Sequence, residues 1–100
     1  MSVSDKELAD RIVALGIGKR TSFCMEINGS VLSESKFVRD WRVAGALMEK
    51  VKDREWLTNV AHDGVVFVFT DRDEPYDCIE IAGESLPRTI IEACVEALDE

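Results

Sequence analysis

Four carboxylates near the end of the chain have the spacing of a recognition surface. Glu92, Glu96 and Glu100 recur at every fourth position, with Asp99 beside them. On a helix they share one face, where like charges repel by roughly 0.2 to 0.5 kcal/mol per pair and oppose the helix dipole. A solvated helix face is the simplest interpretation. The alternative is a surface that meets a basic partner or imitates the phosphates of nucleic acid.

Two loops resemble ligand-binding motifs without completing them. Residues 16–21 place a lysine after a glycine, as a phosphate loop does. However, Val13 stands where that motif requires glycine, and Arg20 stands where it requires serine or threonine. Residues 71–77 alternate carboxylates as a calcium loop does, but Tyr76 occupies the position of the required glycine. We interpret them as a helix cap with a basic turn and as a solvated acidic loop, with weak divalent-cation binding as the open alternative for the second.

The remaining residues that could do chemistry are isolated. His62 is the only histidine, which excludes a two-histidine metal site and favours a turn residue. Trp41 and Trp56 fit core or strand-edge positions better than base stacking, because basic residues do not cluster around them. We therefore expect no catalytic residue, no cofactor and no metal.

The three cysteines predict a reducing compartment. Cys24, Cys78 and Cys94 are odd in number, lack C-x-x-C spacing and stand among apolar residues, as buried thiols do. The first residues lack the apolar run of a secretion signal, and no stretch has the length of a membrane span. We expect a cytoplasmic protein.

The charge is concentrated in the second half of the chain. The net charge is −8, of which residues 1–50 contribute +1 and residues 51–100 contribute −9. An acidic surface repels nucleic acid and anionic membranes, so we expect neither as a direct partner.

The first half predicts two helices and a strand. Ser4 and Glu7 form a capping box before a helix over 5–15. Alternating residues 23–27 before Asn28-Gly29 predict a hairpin strand. A second helix over 36–52 carries one apolar stripe, made of Phe37, Trp41, Ala44, Leu47, Met48 and Val51.

The second half predicts a hairpin, a third strand and a final helix. Residues 56–61 and 65–70 flank a turn with the Asp63-Gly64 signal, and residues 76–82 alternate as a further strand. Ser85 caps the last helix. Because both faces of 65–69 are apolar, that strand should be central and covered on both sides.

These elements predict one domain over 1–100 in the order α-β-α-β-β-β-α. Its class is α+β, with a mostly antiparallel sheet of three to four strands and three helices arranged as an α/β/α sandwich. The alternative is a two-layer α+β fold.

Three segments, Leu8–Gly16, Phe37–Ala44 and Ala82–Cys94, resemble small uncharacterised phage and prophage proteins, those described as the phage α/β/α sandwich domain. The resemblance spans most of the chain, and the Leu-Pro-Arg start of the final helix is its most specific part. It implies a phage or prophage origin and the same sandwich fold. It implies no functional residues.

We therefore expect a non-enzymatic accessory protein that binds a host or phage protein. The first alternative is an acidic nucleic-acid mimic that inhibits a host DNA-binding enzyme through Glu92, Glu96, Asp99 and Glu100. The second is a small ligand-binding module or enzyme, which a deep pocket holding His62 would favour. A homodimer through a sheet edge, such as the 23–27 strand, is also open.

Overall fold

The computed structural model describes residues 4–70, 78–83 and 85–98. The described elements, in chain order, are α1 (Asp5–Ala14), β1 (Lys19–Arg20), β2 (Met25–Ile27), β3 (Ser30–Leu32), α2 (Glu34–Phe37), α3 (Trp41–Asp53), β4 (Leu57–Val60), β5 (Val65–Phe69), β6 (Cys78–Ala82) and α4 (Leu86–Leu98). The predicted α+β class with antiparallel strands is confirmed. Four described helices and two three-stranded sheets take the place of the predicted three helices and single sheet.

Helix α1 begins and ends where its capping residues predict. The Ser4 hydroxyl accepts a hydrogen bond from the backbone N–H of Glu7 at 3.1 Å. After Leu15, Gly16 takes a left-handed φ of 87°, which terminates the helix. The helix buries Leu8 and Ile12 in the core.

The predicted helix over 36–52 is confirmed from Trp41 onward as α3, but its first part is wrong, because the chain forms the short α2 and breaks before α3. Asp40 is extended (φ −85°, ψ 132°), and its carboxylate accepts from the backbone N–H of Arg42 at 2.8 Å, so it caps a new helix. Trp41 was predicted to pack in the core, but it begins α3 with its side chain 59% exposed. Apolar spacing is compatible with one continuous helix, and the cap at Asp40 overrides it.

Strands β1, β2 and β3 form the first sheet, in that order. The predicted strand over 23–27 corresponds to β2, which pairs antiparallel with β1 on one side and β3 on the other. Asn28 and Gly29 form the predicted turn with φ values of 51° and 84°. Both edges of β2 are paired within the chain, so this strand is not the free edge that the sequence suggested, and a homodimer through another sheet edge stays a prediction.

Strands β4, β5 and β6 form the second sheet, with β5 in the centre as predicted. Val66 and Val68 are fully buried, whereas Val65, Phe67 and Phe69 on the opposite face are half-buried. Helices α3 and α4 pack against each other and against this sheet. The helices therefore cover one face of β5, which corresponds to the two-layer alternative and not to a sandwich with helices on both faces.

Helix α4 lies at the centre of the hydrophobic core. Its buried residues are Thr89, Ile90, Ile91, Ala93, Cys94, Val95, Ala97 and Leu98. It packs against α1, α3, β5 and β6, which explains why its sequence is apolar over more than one face. In the part of the chain that the structure describes, no helix has the length and apolarity needed to cross a membrane.

Candidate protein-binding groove

A groove of about 530 Å³ lies between α1, β6 and α4. We call it the α1–β6–α4 groove. Its lining residues are Leu8, Arg11, Cys78, Ile79, Glu80, Ile81, Glu92, Val95 and Glu96. Two of the four carboxylates singled out in the sequence, Glu92 and Glu96, therefore meet in one groove, while Asp99 and Glu100 lie outside the described residues.

Helix α4 forms one wall of this groove. The carbonyl of Ser85 accepts from the backbone N–H of Thr89 at 2.9 Å and from its hydroxyl at 2.8 Å, which secures the first turn. Residues 92, 95 and 96 then share one face at spacings of three and four. The side chain of Glu92 is only 17% exposed, whereas Glu96 is an exposed residue.

Helix α1 forms the second wall. Leu8 lies at the base of this wall and is itself buried, and Arg11 follows one turn later on the same face. The Arg11 guanidinium donates to the Glu7 carboxylate at 3.0 Å. Arg11, the cation on this wall, is therefore already paired with a carboxylate of its own helix.

Strand β6 is the third side of the groove and, among the described strands, an edge of its sheet. The hydrogen-bond pattern of the sheet follows from the β4–β5 hairpin, where the backbone N–H of Ala61 donates to the carbonyl of Val65 at 2.8 Å. Bonded and non-bonded pairs alternate along an antiparallel ladder. Val66 and Val68 therefore direct their backbone groups away from β4 and toward β6.

The same alternation decides which backbone groups of β6 face outward. Ile81 and Ile79 lie opposite Val66 and Val68 and take up their hydrogen bonds. The N–H and C=O groups of Cys78, Glu80 and Ala82 then point away from the sheet. No backbone hydrogen bond to these groups from another element is present within the described ranges.

Arg88 joins the groove wall to the start of α1. Its guanidinium donates to Glu92 at 2.7 Å and also to Asp5, and its side chain is only 14% exposed. Arg39 donates to the other oxygen of Asp5 at 3.3 Å. The hydrogen bond from Arg88 lowers the pKa of the Asp5 carboxyl, and Arg39 adds to this effect against the opposing effect of burial.

The groove has an excess of negative charge. Glu80, Glu92 and Glu96 line it together with one cation, Arg11. Glu92 is paired with Arg88, but neither Glu80 nor Glu96 forms an ion pair with another described residue. These two carboxylates are the ones in the groove that are available to a cationic ligand.

The basic turn at 18–20 has a structural role. Lys19 pairs with Glu26 at 3.6 Å, and Arg20 pairs with Asp10 at 2.6 Å and Glu34 at 3.0 Å. Gly18 adopts a φ of 66°. The interpretation of this segment as a cap and basic turn agrees with these contacts.

His62 and the two tryptophans lie away from the groove. His62 is exposed in the β4–β5 turn, as predicted. Trp56 is partly buried against the core, and the guanidinium of Arg54 lies 5.1 Å from the centre of its ring. Trp41 instead lines a shallow surface depression with Leu32.

The acidic loop over 71–77 lies outside the described residues. Within the described ranges, no group of three or more His, Cys, Asp or Glu side chains is placed to hold a metal ion.

All three cysteines are free thiols, and they differ in burial. Cys94 is fully buried, and burial raises the pKa of its thiol to about 11. At pH 8 only about one Cys94 side chain in a thousand is therefore ionised to the thiolate, which is the reactive form. Cys24 and Cys78 are half-buried, so the prediction that all three are buried holds fully only for Cys94.

We expect iodoacetamide to modify Cys94 only after the chain unfolds. The measurement is peptide mass spectrometry after alkylation at pH 8 in buffer and in concentrated urea. In urea the three cysteines should react at similar rates. Modification of Cys94 in buffer as fast as that of Cys78 would contradict the burial of this thiol.

Sequence reasoning missed the other two sides of the groove. Glu80 and Glu96 line the same groove because β6 packs on α4, and no spacing within the sequence reveals this packing. The pairing of Arg88 with Glu92 does have a sequence signal, since the two stand four positions apart in a helix. Asp5, which completes the contact, lies 83 positions away from Arg88.

No family model, curated protein or solved structure matches the chain. The resemblance to phage and prophage proteins therefore stays a prediction.

Proposed function

We propose that this chain is a non-enzymatic accessory protein of phage or prophage origin that acts in the cytoplasm by binding another protein. The observation that carries the proposal is the α1–β6–α4 groove, in which apolar side chains lie beside two carboxylates, Glu80 and Glu96, that form no ion pair with another described residue. The origin rests on the resemblance of the three sequence segments, and the compartment on the three free thiols.

The groove has the composition of a protein-binding surface. Ile79 and Ile81 are only half-buried and offer apolar area, whose burial drives association. Glu80 and Glu96 offer charge that selects a basic partner and accelerates its encounter. Affinity and selectivity thus have separate sources within one surface.

An enzymatic role is less well supported by this geometry. Cys78 lines the groove and is the nearest candidate nucleophile, but it needs a base within hydrogen-bond reach. The only histidine, His62, lies beyond the Ala82 end of β6, and Ala82 is four positions along the strand from Cys78, a distance of about 13 Å. The two side chains are therefore not placed to act together.

The nucleic-acid mimic is the second candidate, and the pairing of Glu92 weakens it. A phosphate-like row requires exposed charges, whereas Glu92 is largely buried and bonded to Arg88. Of the four carboxylates, Glu96 is the one that the structure describes as exposed. Capture of a DNA-binding enzyme in the following experiment would favour the mimic.

The proposal is tested by capture from host-cell lysate with the tagged chain at low and high salt. We expect a partner retained by the wild type and lost from the double variant Glu80→Gln/Glu96→Gln. Glu92 is left unchanged because it pairs with Arg88. The matched control is Glu49→Gln/Glu55→Gln, which removes the same charge from two exposed residues outside the groove lining.

The outcomes separate clearly. Loss from the groove variant alone, strongest at low ionic strength, supports binding in the groove, because salt screens the carboxylates. Equal capture by all three proteins, or capture of nothing, overturns the proposal.

A further inference from the structure

We propose that the α1–β6–α4 groove receives an extended, basic segment of the partner, which adds to β6 as a fourth strand of its sheet. This inference rests on the proposed protein-binding function and names the chemistry of the segment that is bound. It follows from the outer edge of β6, which no other described strand pairs with, and from the charges on the groove walls.

The free edge supplies the backbone part of the recognition. Cys78, Glu80 and Ala82 direct N–H and C=O groups outward at every second position. An extended peptide presents complementary groups at the same repeat, so it forms a ladder without any special side chain. The five residues of β6 offer about 17 Å of edge.

The side chains of the added strand alternate between two environments. Those on the helix side of the sheet approach α4, where Glu92 and the exposed Glu96 lie. Those on the other side lie beside Glu80, whose position is opposite the half-buried Phe67. Lysine or arginine at every second position therefore lies on the helix side beside Glu96, and the apolar residues between them lie on the other side beside Phe67.

A second copy of this chain fits the same edge less well. Pairing β6 with β6 would bring Glu80 and the α4 carboxylates of both copies together, and each copy carries a net charge of −8. Like charges set opposite one another destabilise such pairing. Charge complementarity selects a basic segment over self-association.

The probe is the capped heptapeptide Lys-Val-Lys-Val-Lys-Val-Lys, measured against the full chain. A peptide of the same composition with its lysines contiguous is the control. By amide hydrogen exchange, we expect the alternating peptide to slow exchange at Cys78, Glu80 and Ala82 by about tenfold or more, since strand pairing protects these groups. Ile79 and Ile81, already bonded to β5, should change little.

Two variants separate the backbone contribution from the charge. Ala82→Pro removes an outward N–H, which an edge strand tolerates, and should weaken binding about tenfold; Ala82→Val, which keeps the N–H, should not. Glu96→Gln should weaken binding about fivefold, and Glu49→Gln should leave it unchanged. Circular dichroism and thermal unfolding establish that each variant is folded.

Several results would overturn strand addition. Failure of the alternating peptide to bind at a concentration of about 1 mM would do so, as would equal affinity of the two peptides. An affinity for the alternating peptide that Ala82→Pro leaves unchanged would do so as well. A chain that dimerises in sedimentation and loses the dimer with Ala82→Pro would make a second copy the occupant. If the lysate partner depends on Glu80 and Glu96 but not on the Ala82 N–H, the proposed function stands and strand addition is wrong.

Discussion

Replacing Arg88 by methionine should lower the free energy of unfolding by about 2 to 4 kcal/mol, a large part of the total of about 5 to 15 kcal/mol usual for a domain. Methionine keeps much of the volume but leaves Glu92 and Asp5 without their principal cation. The loss should fall below that for a fully buried pair, because the Asp5 side chain is 34% exposed and partly solvated. Urea unfolding at pH 7 measures it.

The matched control is Lys19→Met, which removes a cation from an exposed pair. Lys19 lies 3.6 Å from Glu26, and its side chain is 68% exposed. Surface pairs of this kind contribute about 0 to 1 kcal/mol, so this variant should be close to the wild type. Equal losses for the two variants would show that Arg88 is no more than a surface charge.

The Arg88 contribution should also depend on pH in a defined direction. The hydrogen bond from Arg88 lowers the pKa of Asp5 below 3.8, so the unfolded chain binds this proton more readily than the folded chain. The resulting stability is present above pH 3.8 and is lost as the pH falls through the lowered pKa. The difference between wild type and Arg88→Met should therefore shrink at low pH, and a difference that grew on acidification would contradict this linkage.

Replacing Gly18 by alanine should lower the free energy of unfolding by about 2 to 4 kcal/mol, as the sum of backbone strain and overpacking. Gly18 has a φ of 66°, which L residues rarely adopt. A Cβ there would lie 2.8 Å from Cε1 of Phe37, which is fully buried, and 2.8 Å from the carbonyl oxygen of Glu26. Neither neighbour can withdraw without disturbing the core or the first sheet.

Gly16→Ala is the matched control for this prediction. Gly16 has a φ of 87°, but a Cβ there would meet no atom within 4 Å. This variant should cost only the backbone strain, about 1 to 2 kcal/mol. Thermal or urea unfolding of both variants isolates the steric part as their difference, and equal losses would show that Phe37 and Glu26 accommodate the methyl group.

The local elements of this fold could be predicted because short-range chemistry determines them. The capping hydroxyl of Ser4 placed the start of α1, and the Asp63-Gly64 turn placed the β4–β5 hairpin to within one or two residues. The predicted start of the helix over 36–52 was wrong for a reason that is also local. An apolar stripe indicates which face of a helix is buried. It does not indicate that the Asp40 carboxylate accepts a hydrogen bond from the backbone N–H of Arg42 and so starts a new helix.

The candidate site could be predicted only in part. The carboxylates at positions 92 and 96 stand out because their helical spacing is visible in the sequence. Their neighbours in the groove come from β6 and α1, at separations that no local pattern links. The free edge of β6 was likewise hidden, since strand order depends on how the sheet packs and not on the strand itself.

The sequence by itself determined the α+β class, the antiparallel hairpins, the ends of α1 and the concentration of negative charge in the second half. Each of these depends on residues within a few positions of one another or on composition alone. Only the tertiary structure decided that one face of β5 is half-buried, that Arg88 bridges Asp5 and Glu92, and that Glu80 and Glu96 line one groove beside β6. The physical reason is that these contacts form when α4 buries its apolar surface against α1, α3 and the second sheet, which brings together side chains that are distant along the chain.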